Sequence, residues 1–265
     1  MLKDITLGQY YPGSSIIHRM DPRIKIIWTI FYIILLFFVT DFAGFAVYIV
    51  FTAIIILKSK IKIRFIIKGL RPILFLLLFT SVINVFMTGE TVLFKIGPLK
   101  ATYEGVLFAF YMVLRLVLLV MGTSLLTFTT SPIMLTDGIE RLLSPFSKIG
   151  VPAHAIAMMM TIAIRFIPTI LEETDKIMKA QSSRGADFES GNILRRAKAM
   201  TPLLIPLFVS AFRRADELAI AMECRCYHGG EGRTRLRQLK ITREDIIALC
   251  VIPILLALII GTKTL

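Results

Sequence analysis

The sequence predicts an all-α integral membrane protein: a helical bundle of about five transmembrane helices, joined to a module of long helices outside the lipid. Three observations carry that prediction. First, 56% of the 265 residues are apolar, mean hydropathy is +0.76 and only 18% are charged, whereas soluble domains average about 45–50% apolar and about 25% charged. Second, uncharged apolar runs alternate with basic clusters, so that five crossings leave 27 of the 31 Lys and Arg residues on one side of the bilayer, the side expected to be cytoplasmic. Third, residues 131–244 hold 17 basic and 12 acidic side chains, too many for hydrocarbon. The organisation read from this is an N-terminal bundle of four spans over 1–130, a cytoplasmic module over 131–244 and a last span over 245–265.

The net charge of +13 does not imply nucleic acid, because the basic residues sit beside apolar runs as membrane-protein loops do. Three cysteines supply no disulfide framework and suit a reducing compartment. The first 23 residues are polar and lack the apolar core of a signal peptide, so no cleaved leader is expected.

Asp21-Pro22 is a helix start: the carboxylate accepts from free N–H groups, and proline in the first turn loses no bond. Ile26 to Thr40 and Phe42 to Leu57 are uncharged. As one helix they would run to about 50 Å, well beyond the ~30 Å hydrocarbon core, so they are read as two spans with a hairpin at Asp41 and Gly44. Lys58 to Arg71 holds six basic residues and no acid, the strongest cytoplasmic-loop signal in the chain. Ile73 to Gly89 is the third span, and the nearly neutral loop carrying Glu90, Lys95, Lys100 and Glu104 lies outside. Val106 to Thr130 is the fourth and holds one charge, Arg115, which either faces the bundle and is satisfied locally or touches a partner membrane protein. Ser131-Pro132 repeats the capping logic of Asp21-Pro22. Ile246 to Thr262 is the last span, placing the N-terminus in the cytoplasm and the C-terminus outside. Ala153 to Leu171 and Ala199 to Phe212 are apolar too, but Arg165, Pro168 and two prolines interrupt them, so both are read as helix segments lying under the membrane.

The stretch from Pro152 to Tyr227 reads as two long helices, each closing on an arginine between small residues: Ser183-Arg184-Gly185 and Cys224-Arg225-Cys226. Aligned on the arginines, Asp175 matches Asp216 and Ala180 matches Ala221, whereas Pro168 and Pro206 are three positions out of register. Arginine offers a planar fork of donors suited to a carboxylate on another protein, and small neighbours let such a tip enter a groove. The bland alternative is a pair of solvated arginines. Cys224, Cys226 and His228 admit a membrane enzyme or metal-carrier reading, though C-x-C-x-H is not a usual zinc spacing. Met158, Met159 and Met160 are either core packing or an adaptable face for partners. Arg233, Arg235, Arg237 and Lys240 face anionic headgroups before the last span. No GxxxxGK[ST] loop, nucleophile elbow or HExxH pattern occurs, so no nucleotide hydrolysis is expected of this chain.

With these residues in place, the chain resembles the transmembrane (T) components of energy-coupling factor vitamin transporters, the EcfT family, with the cobalt-transport CbiQ proteins as relatives. The opening Gly8-Gln9-Tyr10 through His18, Asp21-Pro22-Arg23 and Lys25 looks like the family's signature, and the two arginine triplets sit where the family places its X-Arg-X motifs. Alanine, glycine or serine usually flank those arginines, so Cys224 and Cys226 depart from the pattern while remaining small. The resemblance implies three coupling helices, roughly Pro132 to Ile149, Pro152 to Arg184 and Asn192 to Arg225, in the cell membrane of a prokaryote. It implies that the two tips dock in two ATPase subunits, alike or different, which bind Mg-ATP, while this chain holds no cofactor. It implies further that the apolar upper surface holds a substrate-binding S component, tilted by ATP-driven closure.

Overall fold

The computed structural model describes residues 10–87, 91–96, 99–188, 192–229, 239 and 241–263. Gly8, Gln9, Gly89, Glu90, Arg233, Arg235, Arg237 and Lys240 lie outside the described residues.

The chain divides into two compact units, one of residues 8–138 with 238–265 and one centred on 139–237. The first unit opens with a single helical turn, α1 (Ile16–Arg19), capped by Ser15. Helix α2 (Pro22–Phe38) starts where Asp21-Pro22 predicts: the Asp21 carboxylate accepts from Arg23 N–H, and Pro22 lies in the first turn. Helix α3 (Phe42–Ser59) follows after a three-residue turn. Asp41 is its N-cap residue, whereas Gly44, expected in the turn, lies inside α3. A Cβ there would come within 2.8 Å of Val39 Cγ1, so Gly44 serves the close packing of the hairpin.

The basic stretch after α3 is not simply a loop. Residues Ile63–Leu70 form α4, and a 3-10 turn at Arg71–Ile73 leads into α5 (Leu74–Met87). Ile63, Ile66, Ile67 and Leu70 follow helical spacing, with Ile66 fully buried and Arg64 and Lys68 exposed. The segment between α5 and the next helix contains an antiparallel hairpin, β1 (Val92–Ile96) and β2 (Leu99–Thr102). Helix α6 (Tyr103–Thr129) is capped by Thr102. Helix α7 (Pro132–Leu143) begins at the predicted Ser131-Pro132, the Ser131 hydroxyl accepting from Met134 N–H, and a 3-10 segment follows at Ser144–Ile149. Two 31-residue helices come next, α8 (Ala153–Ser183) and α9 (Ile193–Glu223), before α10 (Arg243–Lys263).

Among the described residues, five helical stretches are long and apolar enough to cross a membrane: Phe42–Ser59, Ile63–Phe86, Tyr103–Thr129, Ala153–Ser183 and Arg243–Thr262. Four match the sequence reading. The fifth differs, because α2 has only 17 residues, about 25 Å at 1.5 Å each, and α8 qualifies in its place. Only the first half of α8 is apolar; Glu172, Glu173, Asp175, Lys176 and Lys179 follow, and these suit water rather than lipid. The outward faces of the other four suit lipid: Phe75 is 77% exposed, Leu57 77% and Ile247 64%.

Inside the bundle, Tyr32, Leu36, Phe45, Tyr48, Leu118 and Leu255 form a buried core. Tyr32 Oη donates to Leu118 O at 3.0 Å and lies 3.0 Å from Thr52 Oγ1; Tyr48 Oη donates to Tyr32 O at 3.2 Å. With no water in hydrocarbon, such hydroxyls must find partners within the protein. Gly122 lets α6 approach α2, since a Cβ there would overlap the Tyr32 ring. Arg115 is satisfied locally only in part, its Nε being buried with no hydrogen-bond partner among the described residues. Its Nη2 donates to Val39 O at 2.6 Å, at the end of α2, and the guanidinium lies 5.8 Å from the Phe37 and Phe45 ring centres.

The signature residues close one end of this unit. Lys25 Nζ donates to His18 O, Thr129 O and Thr130 Oγ1 at 3.1–3.2 Å. Asp21 N–H donates to Asp245 Oδ1 at 2.9 Å, while Thr242 N–H and hydroxyl donate to Asp245 Oδ2 at 2.7 and 2.8 Å. Burial works against the Asp21 charge, but hydrogen bonds from Arg23 and the charges of Arg23 and Lys25 outweigh it and hold the carboxyl below its usual range.

Candidate functional site: two arginine-tipped helices

The two long helices end alike. After α8, Gly185 N–H donates to Ser182 O and Ala186 N–H to Gln181 O, both at 3.0 Å. After α9, Cys226 N–H donates to Glu223 O at 2.8 Å and Tyr227 N–H to Met222 O at 3.1 Å. Each is the paired closure that satisfies a helix's last carbonyls, and each requires a left-handed residue. Gly185 supplies φ +90° and Cys226 φ +55°. All four bonds are related by the offset of 41 residues that separates Arg184 from Arg225, so the weak sequence echo marks one local geometry used twice.

That geometry puts each arginine on the last turn, immediately before the reversal. Ser183, Arg184, Gly185, Cys224, Arg225 and Cys226 are all exposed. Neither guanidinium has a hydrogen-bond or ion-pair partner among the described residues. At Gly185 the third residue is therefore small for a backbone reason, since a left-handed residue tolerates glycine best; Cys226 takes the same conformation with a Cβ in place.

A polar clamp joins the two helices. Arg214 Nη2 donates to Glu173 Oε2 at 2.9 Å, and Arg214 Nε reaches Ser210 Oγ at 3.4 Å. A hydrogen bond from Ser210, aided by the pairing with Arg214, holds the Glu173 carboxyl below its usual range against the opposing effect of desolvation. Glu173 and Arg214 obey the same 41-residue offset, each 11 positions before its arginine. The helices thus meet at equivalent points, each leaving an arm of about 16 Å between clamp and tip at 1.5 Å per residue. Within the same unit, Glu140 at the end of α7 lies 3.1 Å from His154 Nδ1 on α8.

On α9, Leu204, Ile205, Phe208, Val209 and Phe212 are 53–66% exposed, forming an apolar face. On α8, Met159 is 61% exposed, with Met158 and Met160 half-buried.

The family of cobalt transport proteins, CbiQ, matches residues 13–236. Full-length similarity extends to proteins named energy-coupling factor transporter transmembrane protein EcfT. That of Clostridium kluyveri is 60% identical over 250 residues, 94% of this chain and 93% of its own. That of Bacillus subtilis is 45% identical over 260 residues, 98% of each, and that of Lactococcus lactis 43% over 264, 99% of each. The chain belongs to the EcfT family.

As an EcfT-family member it is a multi-pass transmembrane component of a transport system. The structure gives the two arginine triplets a common backbone frame and adds residues that sequence reasoning missed. Asp245 ties the signature to α10 from 224 positions away, a separation no local pattern reveals. The Glu173–Arg214 clamp was within reach, because the arginine alignment also equates those two positions. Cys224, Cys226 and His228 are exposed at the α9 tip. Among the described residues no group of three or more His, Cys, Asp or Glu side chains comes together to hold a metal ion.

Proposed function

We propose that this chain is the coupling scaffold of an energy-coupling factor importer for vitamins or other micronutrients, without catalysis of its own. Arg184 and Arg225 enter grooves on two ATPase subunits, where their guanidinium groups meet carboxylates in charge-assisted, bidentate pairs. Mg-ATP is bound and hydrolysed on those subunits. The apolar face of α8 and α9, including Met158, Met159 and Met160, receives the substrate-binding S component. ATP-driven closure moves the tips, and the clamp between α8 and α9 passes that motion to the S component as one body. The N-terminus, the basic segment 58–71 and the arginine tips face the cytoplasm, with the C-terminus outside.

The observation that supports this reading is the repetition of one exposed arginine-bearing helix end, at equal distances from one interhelical clamp. A solvated surface arginine requires no such repetition. The test is co-purification from cells expressing the whole transporter. Arg184→Glu and Arg225→Glu are each expected to weaken recovery of the ATPase subunits. Full recovery with both charges reversed would exclude docking through the tips.

A further inference from the structure

The transmembrane unit holds a cavity of about 510 Å³ between α2, α3, α6 and α10, within the size range of small-molecule sites. Its lining is polar at one end and apolar beyond. Lys25, Lys58, Thr129 and Glu244 mark the polar end, where α2 and α10 begin and α3 and α6 finish. Its walls run from Lys25 to Tyr32, from Thr129 to Gly122 and from Glu244 to Val251, a depth of about 10 Å along each helix.

The charges at the rim divide into two kinds. Lys25 is spent on three oxygens of the bundle. Lys58 and Glu244 have no hydrogen-bond or ion-pair partner among the described residues, and they do not pair with each other. A half-buried carboxylate and a lysine of opposite sign, held apart over an apolar shaft, match a molecule with an anion, a cation and an aliphatic chain.

We propose that this cavity binds a glycerophospholipid with an ethanolamine headgroup. The headgroup-proximal part of one acyl chain occupies the apolar shaft, the phosphate meets Lys58, and the primary ammonium donates to Glu244. An anionic lipid would satisfy Lys58 and leave Glu244 repelled. A choline headgroup lacks the N–H donors the carboxylate accepts. The proposal depends on membrane embedding and not on the docking of the arginine tips, so either idea can fail alone.

The chain has one tryptophan, Trp28, which lines the cavity and is fixed by a 2.7 Å bond from Nε1 to Ala248 O. The purified full chain in phosphatidylcholine nanodiscs can therefore be titrated with acyl-dibrominated phosphatidylethanolamine or phosphatidylglycerol, following Trp28 quenching. Half-quenching is expected at a mole fraction about threefold or more lower for the ethanolamine lipid. Glu244→Gln should erase that preference, whereas Lys58→Gln should raise the half-quenching mole fraction of both lipids alike. Equal quenching by the two lipids in the wild-type chain would overturn the proposal whether or not the variants fold, as would a preference that survives Glu244→Gln.

Discussion

Reversing the charge at the crossing of α8 and α9 tests whether they move as one body. The Glu173–Arg214 pair is 2.9 Å long, with side chains 24% and 35% exposed. It therefore lies between exposed pairs, worth about 0.2–1 kcal/mol, and buried ones, whose rupture costs about 3–5 kcal/mol. A coupling energy of about 1–2 kcal/mol is expected from a double-mutant cycle. Glu173→Arg and Arg214→Glu should each lower the thermal midpoint and reduce ATP-driven uptake, and the charge-swapped double variant should recover most of both. The pH dependence has a definite sign. Because the folded carboxyl of Glu173 is held below its usual range, its contribution is complete above the unfolded value of about 4.3 and fades as pH falls from there through the lower folded value. Arg214→Gln should flatten that part of the stability curve. Zero coupling, or a swapped variant as impaired as either single one, would refute the clamp.

The left-handed residue after each arginine gives an asymmetric expectation. Gly185→Val forces a β-branched residue into φ +90° and should cost about 1–2 kcal/mol, with faster amide exchange in the last turn of α8. Cys226→Gly should relieve strain at φ +55° and slow exchange at the α9 tip. Gly122→Ala drives a methyl group into the Tyr32 ring and should cost about 1–3 kcal/mol of thermal stability, read by melting in detergent. Asp245→Ala strands the buried Asp21 N–H and removes the acceptor of the exposed Thr242 N–H and hydroxyl, and should cost about 1–3 kcal/mol by the same assay.

Local chemistry was legible in the sequence wherever it is local in the structure. Asp21-Pro22 and Ser131-Pro132 mark helix starts because a cap needs only its own next turn. The arginine triplets were legible as helix ends, but the reason for their small third residues was not, because left-handed backbone is a property of the closing turn. The charge of segment 63–70 reads as a loop, although its isoleucines keep helical spacing and fold it as α4. Helix α2 is a marginal span by length, yet Tyr32, Leu35 and Leu36 make it part of the buried core. Asp245 and Gly122 were invisible because their partners are fixed only by tertiary packing.

The central claim is that force enters this protein through two guanidinium groups. The most direct measurement is ATP-dependent substrate uptake by vesicles carrying the whole transporter, with Arg184→Glu and Arg225→Glu separately and together. The account predicts partial loss for each and no uptake for the pair, while all three variants still reach the membrane. Unimpaired uptake in the double variant would contradict it.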